Sequence, residues 1–228
     1  MQWETFALEP SLKVRSISNP YIYPSLLEAE VNRLWENKKK QFPKLFNGRI
    51  FNVTTITSNN ITGYWTEYKY VLAQTVKPEL YTQLLIRSLA VIGLIQCSQG
   101  IILGKRSTNA VYLPGYWQSP PAGTVESRQN TDDVNLLDQL YAEAQEELGL
   151  QQNDFFNPTI LSATEHSDTH IIDIGIKLET QLSYQVILQK WKENANPEYQ
   201  ALICINNQLD IPDRTLPTTL YLLKSMGE

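Results

Sequence analysis

Residues 141–150, YAEAQEELGL, place Glu143, Glu146 and Glu147 close together on a stretch that reads as helix. Carboxylates at i, i+3 and i+4 share a helical face, where like charges cost roughly 0.2–0.5 kcal/mol per pair. A divalent cation reverses the sign of that interaction. Magnesium and manganese prefer oxygen ligands, and magnesium is held by a few carboxylates together with water and substrate phosphates. The three glutamates therefore read as a site for Mg2+ or Mn2+, set against the plainer reading of a solvated acidic face at a helix end.

Other residues could serve the same chemistry. Upstream stands PPAGTVE (residues 120–126), a turn in which Gly123 lets backbone approach a ligand and Glu126 adds an acid. Lys105 and Arg106 follow the strand-like IILG and are candidate phosphate contacts, arginine by its fork of donors; the alternative is charge at a strand end. TEHSDTH (residues 164–170) gathers Glu165, His166, Asp168 and His170, from which a general base or a water-positioning histidine could come, or which form a polar loop. Glu193 and Glu198 flank a late loop and could reach a metal or water. Tyr116 and Trp117 lie beside the glycine turn and could line a pocket. Trp35, Tyr64, Trp65, Tyr68 and Tyr70 could stack on a base or fill a core.

The elements that must position these residues are legible in outline. Residues 25–41 carry a helical pattern. Asn47–Gly48 is a turn signal, residues 49–58 alternate as a strand, and residues 63–74 read as a second strand or extended segment. From Ala90 two β-rich runs separated by CSQG predict a hairpin. Val134, Leu137, Tyr141, Ala144 and Leu148 recur at helical spacing, with Asp132 or Asp133 as the cap and Gly149 as the stop. Strands are expected over 159–165 and 170–179, a helix over 182–191, a strand or buried helical turn over 201–205, and a terminal helix over 218–226. Interleaved strands and helices without a strict βαβα rhythm fit a mixed sheet flanked by helices.

Taken together, AGTVE and AEAQEELGL resemble the signature of the Nudix hydrolases. Glu143, Ala144, Glu146, Glu147, Gly149 and Leu150 match its final run, and Gly123 its leading glycine. The resemblance implies an α/β/α sandwich with a mixed sheet. It also implies helix glutamates that hold divalent cations, and hydrolysis of a diphosphate to a nucleoside monophosphate and a second phosphate. The segments IILGKRS, LPGYWQSPPAGTVE and, upstream, LWENKKKQFPKLFNGRIFNV (residues 34–53) are similar to the members that act on UDP-sugars, which also carry an N-terminal extension. There are departures. The arginine expected before Glu143 is Ala142, so bracing of the loop must come from elsewhere, with Arg128 a candidate. The segment between Gly123 and Glu143 is lengthened. The early glutamate of the signature falls on Gln129 or Val134.

Whole-chain properties bound these readings. The 228 residues carry a net charge of −5 and two cysteines. No basic block beyond NKKK argues for nucleic acid as a partner. Cys97 and Cys204 in apolar runs read as small buried hydrophobes rather than a disulfide framework or zinc site. No apolar run reaches the roughly 20 residues of a membrane span, and MQWETFALEP lacks a signal-peptide pattern, so a cytoplasmic protein is expected. The expected division is an N-terminal α/β extension over 1–88 and a hydrolase domain over 89–228. The expected activity is metal-dependent cleavage of a nucleoside diphosphate derivative, a UDP-sugar in the first instance. The alternatives are ADP-ribose or a dinucleotide as substrate, or a binding module that has lost turnover.

Overall fold

The computed structural model describes residues 3–18, 21–110, 113–127 and 132–226. The strands are β1 (Trp3–Ala7), β2 (Lys13–Ser16), β3 (Arg49–Ile56), β4 (Asn60–Glu67), β5 (Leu89–Cys97), β6 (Gly100–Arg106), β7 (Trp117–Gln118), β8 (Ala122–Thr124), β9 (Phe156–His166), β10 (Ile172–Glu179) and β11 (Tyr199–Ile205). The helices are α1 (Ser25–Gln41), α2 (Tyr68–Val76), α3 (Tyr81–Leu84), α4 (Leu136–Leu148), α5 (Tyr184–Asn194) and α6 (Pro217–Ser225). The larger sheet runs β1-β9-β10-β5-β6-β11, with β7 paired to β6 and β8 to β5; β2-β4-β3 form a second, smaller sheet. The β5–β10 ladder is parallel, and the other ladders of the larger sheet are antiparallel. The sheet is therefore mixed, as the sequence pattern predicts.

Period-two alternation explains the layering. On β5, Leu89, Val91, Ile95 and Cys97 enter one core with Leu140, Ala144 and Leu148 of α4 and Ile187 of α5. Ile92 and Leu94 point the other way, onto Leu222 of α6. Helices thus cover both faces of the larger sheet. A Cβ at Gly175 would collide with the Leu222 side chain, so α6 packs directly on the β10 backbone. Among the described residues no helix is long and apolar enough to cross a membrane.

The N-terminal part is woven into this frame. β1 is the edge of the larger sheet, with Trp3 opposite His166. Phe51, Val53, Ile61 and Trp65 of the smaller sheet belong to the same buried cluster as β5 and α4. Isolated bridges join Ile50 to Glu126 and Asn52 to Ser88.

One expectation is corrected and one alternative is resolved. Residues 63–74 are not one extended segment: β4 ends at Glu67 and α2 follows. The first turn of α2 is held from a distance, because the Asn47 side chain accepts from Lys69 N at 2.8 Å and the Gly48 carbonyl from Tyr68 N at 2.9 Å. Asn47–Gly48 lies just ahead of β3 in a segment that serves this capping. Residues 201–205 fall within strand β11. Cys97 is buried and Cys204 half-buried, both as free thiols, with sulfurs 3.9 Å apart.

Candidate active site

α4 begins at Asn135, whose side chain accepts from Leu137 N at 3.1 Å and Asp138 N at 3.2 Å. This satisfies two of the donors a helix start leaves open. The expected cap is thereby corrected: Asp132 instead pairs with Arg49 at 2.7 Å. Gly149 ends the helix at φ 71°, a left-handed conformation glycine adopts without strain. The buried face is Leu136, Leu140, Ala144 and Leu148, while Val134, Leu137 and Tyr141 are half-buried. This register carries Glu147 inward and leaves Glu146 exposed.

The glutamates of α4 meet β8 and the loops beside it. A hollow of about 410 Å³ is lined by Tyr68, Arg106, Ala122, Gly123, Thr124, Glu126, Glu143, Glu146, Glu147 and Glu198. Glu147 is 6% exposed. It accepts from Tyr199 Oη at 2.9 Å and from Ala122 N at 3.2 Å. Burial, then the Glu143 and Glu198 charges, push its carboxyl well above the usual range. Burial and the Glu147 charge likewise raise the Tyr199 phenol. The network continues outward: Gln118 Nε2 donates to Tyr199 Oη at 2.7 Å, and Arg106 donates to Gln118 Oε1 at 2.9 Å. Arg106 also pairs with Glu198 at 3.3 Å.

Gln139, 2% exposed, ties the helix to the glycine loop. Its Nε2 donates to Glu143 Oε1 at 2.6 Å, and its Oε1 accepts from Glu126 N at 3.2 Å. It spans the helix and the glycine loop, on a helix whose position 142 is alanine. Arg128 and Gln129 lie outside the described residues. Gly123 faces Glu143 so closely that a Cβ there would overlap the carboxylate. From the other side, the loop after β8 is fastened to β3 by Phe51 N to Val125 O at 3.0 Å and Ser127 N to Arg49 O at 2.9 Å.

Among the described residues no three carboxylate, imidazole or thiol groups converge as a ready-made cation cage. The donors nonetheless suit a hard divalent ion. They are all carboxylate oxygens, and one is buried beside like charges that an ion would offset.

With the geometry in place, the chain can be set beside known proteins. No family model matches it, and no curated protein does. Solved structures are similar in chain path. One is a MutT protein from Methanosarcina mazei, at 20% identity over 61% of this chain and 93% of that chain, TM-score 0.42. Another is a MutT NUDIX hydrolase from Burkholderia pseudomallei, at 18% identity over 60% and 96%, TM-score 0.43. A third is a bifunctional NMN adenylyltransferase/ADP ribose pyrophosphatase from Francisella tularensis, at 13% identity over 87% and 46%, TM-score 0.42.

The structure brings Gly123, Glu126, Glu143, Glu146, Glu147 and Arg106 to one place, with Glu198 arriving from the loop before β11. Lys105 does not line the hollow and lies over the Trp117 ring at 6.0 Å. Tyr116 lies under Arg214, and Glu193 accepts from Gln189. Glu165 is bound to Arg87 at 2.6 Å and His170 at 3.3 Å, away from the acids. His166 packs on Trp3 at 4.4 Å between ring centres. Trp35, Tyr64, Trp65 and Tyr70 are buried in the core, whereas Tyr68 reaches the hollow. Sequence reasoning missed Gln118, Gln139 and Tyr199. Gln139 alone left a signal, a polar residue one turn before Glu143 on the buried side of a helix.

Proposed function

We propose that this protein is a divalent-metal-dependent pyrophosphohydrolase acting on a nucleoside diphosphate linked to a second group. A UDP-sugar is the substrate to which the sequence resemblance points. The reading is carried by one observation: five glutamates and one arginine line, with a glycine, one hollow open to solvent. Glu143, Glu146, Glu147 and Glu126 would hold magnesium or manganese, which when bound offsets phosphate charge and lowers the pKa of water. The chain does the rest. Tyr199 and the Ala122 amide fix the Glu147 carboxylate. Gln139 fixes Glu143 against the glycine loop. Arg106 stands at the rim as a donor for phosphate oxygens. Glu198, held by Arg106 on a separate loop, would take a proton from the attacking water.

The test is an assay of UDP-glucose, ADP-ribose and a dinucleoside polyphosphate with Mg2+ and with Mn2+, reading nucleoside monophosphate release. UDP-glucose should give UMP and a sugar phosphate. Glu147→Gln should lower kcat by about 10²-fold or more while melting no lower than wild type. Undiminished turnover in that variant would reject the metal assignment. Turnover of ADP-ribose in place of UDP-glucose would change the substrate and keep the chemistry. A second reading, a binding module without turnover, is favoured by Ala142 and by the acids not converging. Tight substrate binding with no product would decide for it.

A further inference from the structure

A second cavity adjoins the acidic hollow. It measures about 140 Å³ and shares Arg106, Ala122, Gly123 and Thr124 with it. The rest of its wall mixes the apolar Trp3, Ile92 and Leu216 with the polar Gln118, Thr169 and Asp173. Asp173 faces the α6 side of the sheet, opposite in parity to the core residues Ile172 and Ile174. It is enclosed by protein, yet keeps accessible surface because it lines the cavity. No hydrogen bond or ion pair reaches its carboxylate among the described residues. Burial pushes its carboxyl up to about 7, and Arg106 pulls it back in part. On the same wall the Trp3 indole N–H is buried without an acceptor.

A buried polar group without a partner is costly, and each such group calls for a partner or a role of its own. Size narrows the ligand. An apolar cavity of about 150 Å³ admits a benzene-sized ring, so this one suits a single six-membered ring and is small for a fused bicycle. Polarity narrows it further. A flat ring with one or two N–H groups needs an acceptor, and Asp173 supplies one on this wall.

We propose that this cavity is the base pocket and that Asp173 accepts a hydrogen bond from the ring N–H of a pyrimidine, making it a specificity-determining residue. The proposal rests on the pyrophosphohydrolase reading, because it places the diphosphate of the same ligand in the acidic hollow.

The experiment is calorimetric titration with Mg2+ present, using methylenediphosphonate, α,β-methylene-UDP, its N3-methyl analogue, α,β-methylene-ADP and uridine. Wild type should bind methylene-UDP at least about 10-fold tighter than methylenediphosphonate or methylene-ADP. The N3-methyl analogue should lose that gain. Asp173→Leu should weaken methylene-UDP by about 10- to 100-fold and leave methylenediphosphonate unchanged. Asp173→Asn, whose amide oxygen still accepts, should recover part of the loss. Because the N3-methyl comparison uses wild-type protein, it stands even if Asp173→Leu fails to fold. Equal binding of methylene-UDP and its N3-methyl analogue would overturn the pocket, as would a preference for methylene-ADP. Binding of uridine without methylenediphosphonate would uphold the pocket and reject the diphosphate site. Failure of all five probes to bind would overturn both.

Discussion

Gly123 governs where the Glu143 carboxylate can sit. Its backbone makes no left-handed demand; its value is the missing Cβ. Because the obstacle is the mobile end of a side chain, Gly123→Ala should fold normally and displace the carboxylate. We expect melting to shift little and kcat to fall by about 10²-fold, the scale of a 1 Å misplacement, read by steady-state kinetics beside a thermal melt. Asp173 makes a separate prediction about stability. Its folded pKa near 7 lies above the ordinary 3.8, so between those values the folded state holds more protons than the unfolded one. Wild type should therefore lose stability relative to Asp173→Asn as pH rises from about 4 to about 7. The deficit should level off near about 4 kcal/mol. Urea midpoints of both proteins across that range check the sign. Glu143, Glu146, Glu147 and Gly123 were legible because their chemistry shows in local spacing. Asp173 and Tyr199 were not, since nothing local distinguishes a buried carboxyl or phenol on a strand from a solvated one.

At the level of elements, α4 is set by its ends. Asn135 alone satisfies two amides at its start, so Asn135→Ala should cost about 1 kcal/mol, seen as a lower urea midpoint with an unchanged slope. The sequence pattern placed this helix but moved its apolar face by about one residue. Val134, Leu137 and Tyr141 are apolar and well spaced, yet Leu136 and Leu140 are the ones the sheet covers. Helices α1, α5 and α6 and strands β5, β6, β9 and β10 were visible because period and turn residues agree with the tertiary fold, whereas the short β7 and β8 read as turns. α2 was hidden for a physical reason: its β-branched and aromatic residues read as strand, and its cap, Asn47, comes from another part of the chain. Local pattern cannot show a cap supplied across space.

For the whole molecule, the division near residue 88 is the expectation with the sharpest test. One hydrophobic cluster contains Phe51 and Trp65 of the smaller sheet together with Leu89, Leu140 and Ile174. β1 completes the larger sheet, and β3 fastens the loop that carries Glu126. We expect the full chain to melt in one transition and residues 89–228 alone to be insoluble or loosely packed, as judged by calorimetry and near-ultraviolet circular dichroism. An isolated 89–228 fragment with a sharp melt would instead establish two independent units. The pairing of β5 with β10 also sets a timetable. Leu89 meets Ile172, so at about 5–20 residues per second the ribosome delivers the neighbour roughly 4–17 s after the strand that awaits it. For that interval a nascent chain displays Leu89–Cys97, mostly apolar, with an unpaired edge. Crowded synthesis would let two such chains find each other first, and slower initiation should raise the yield of soluble protein.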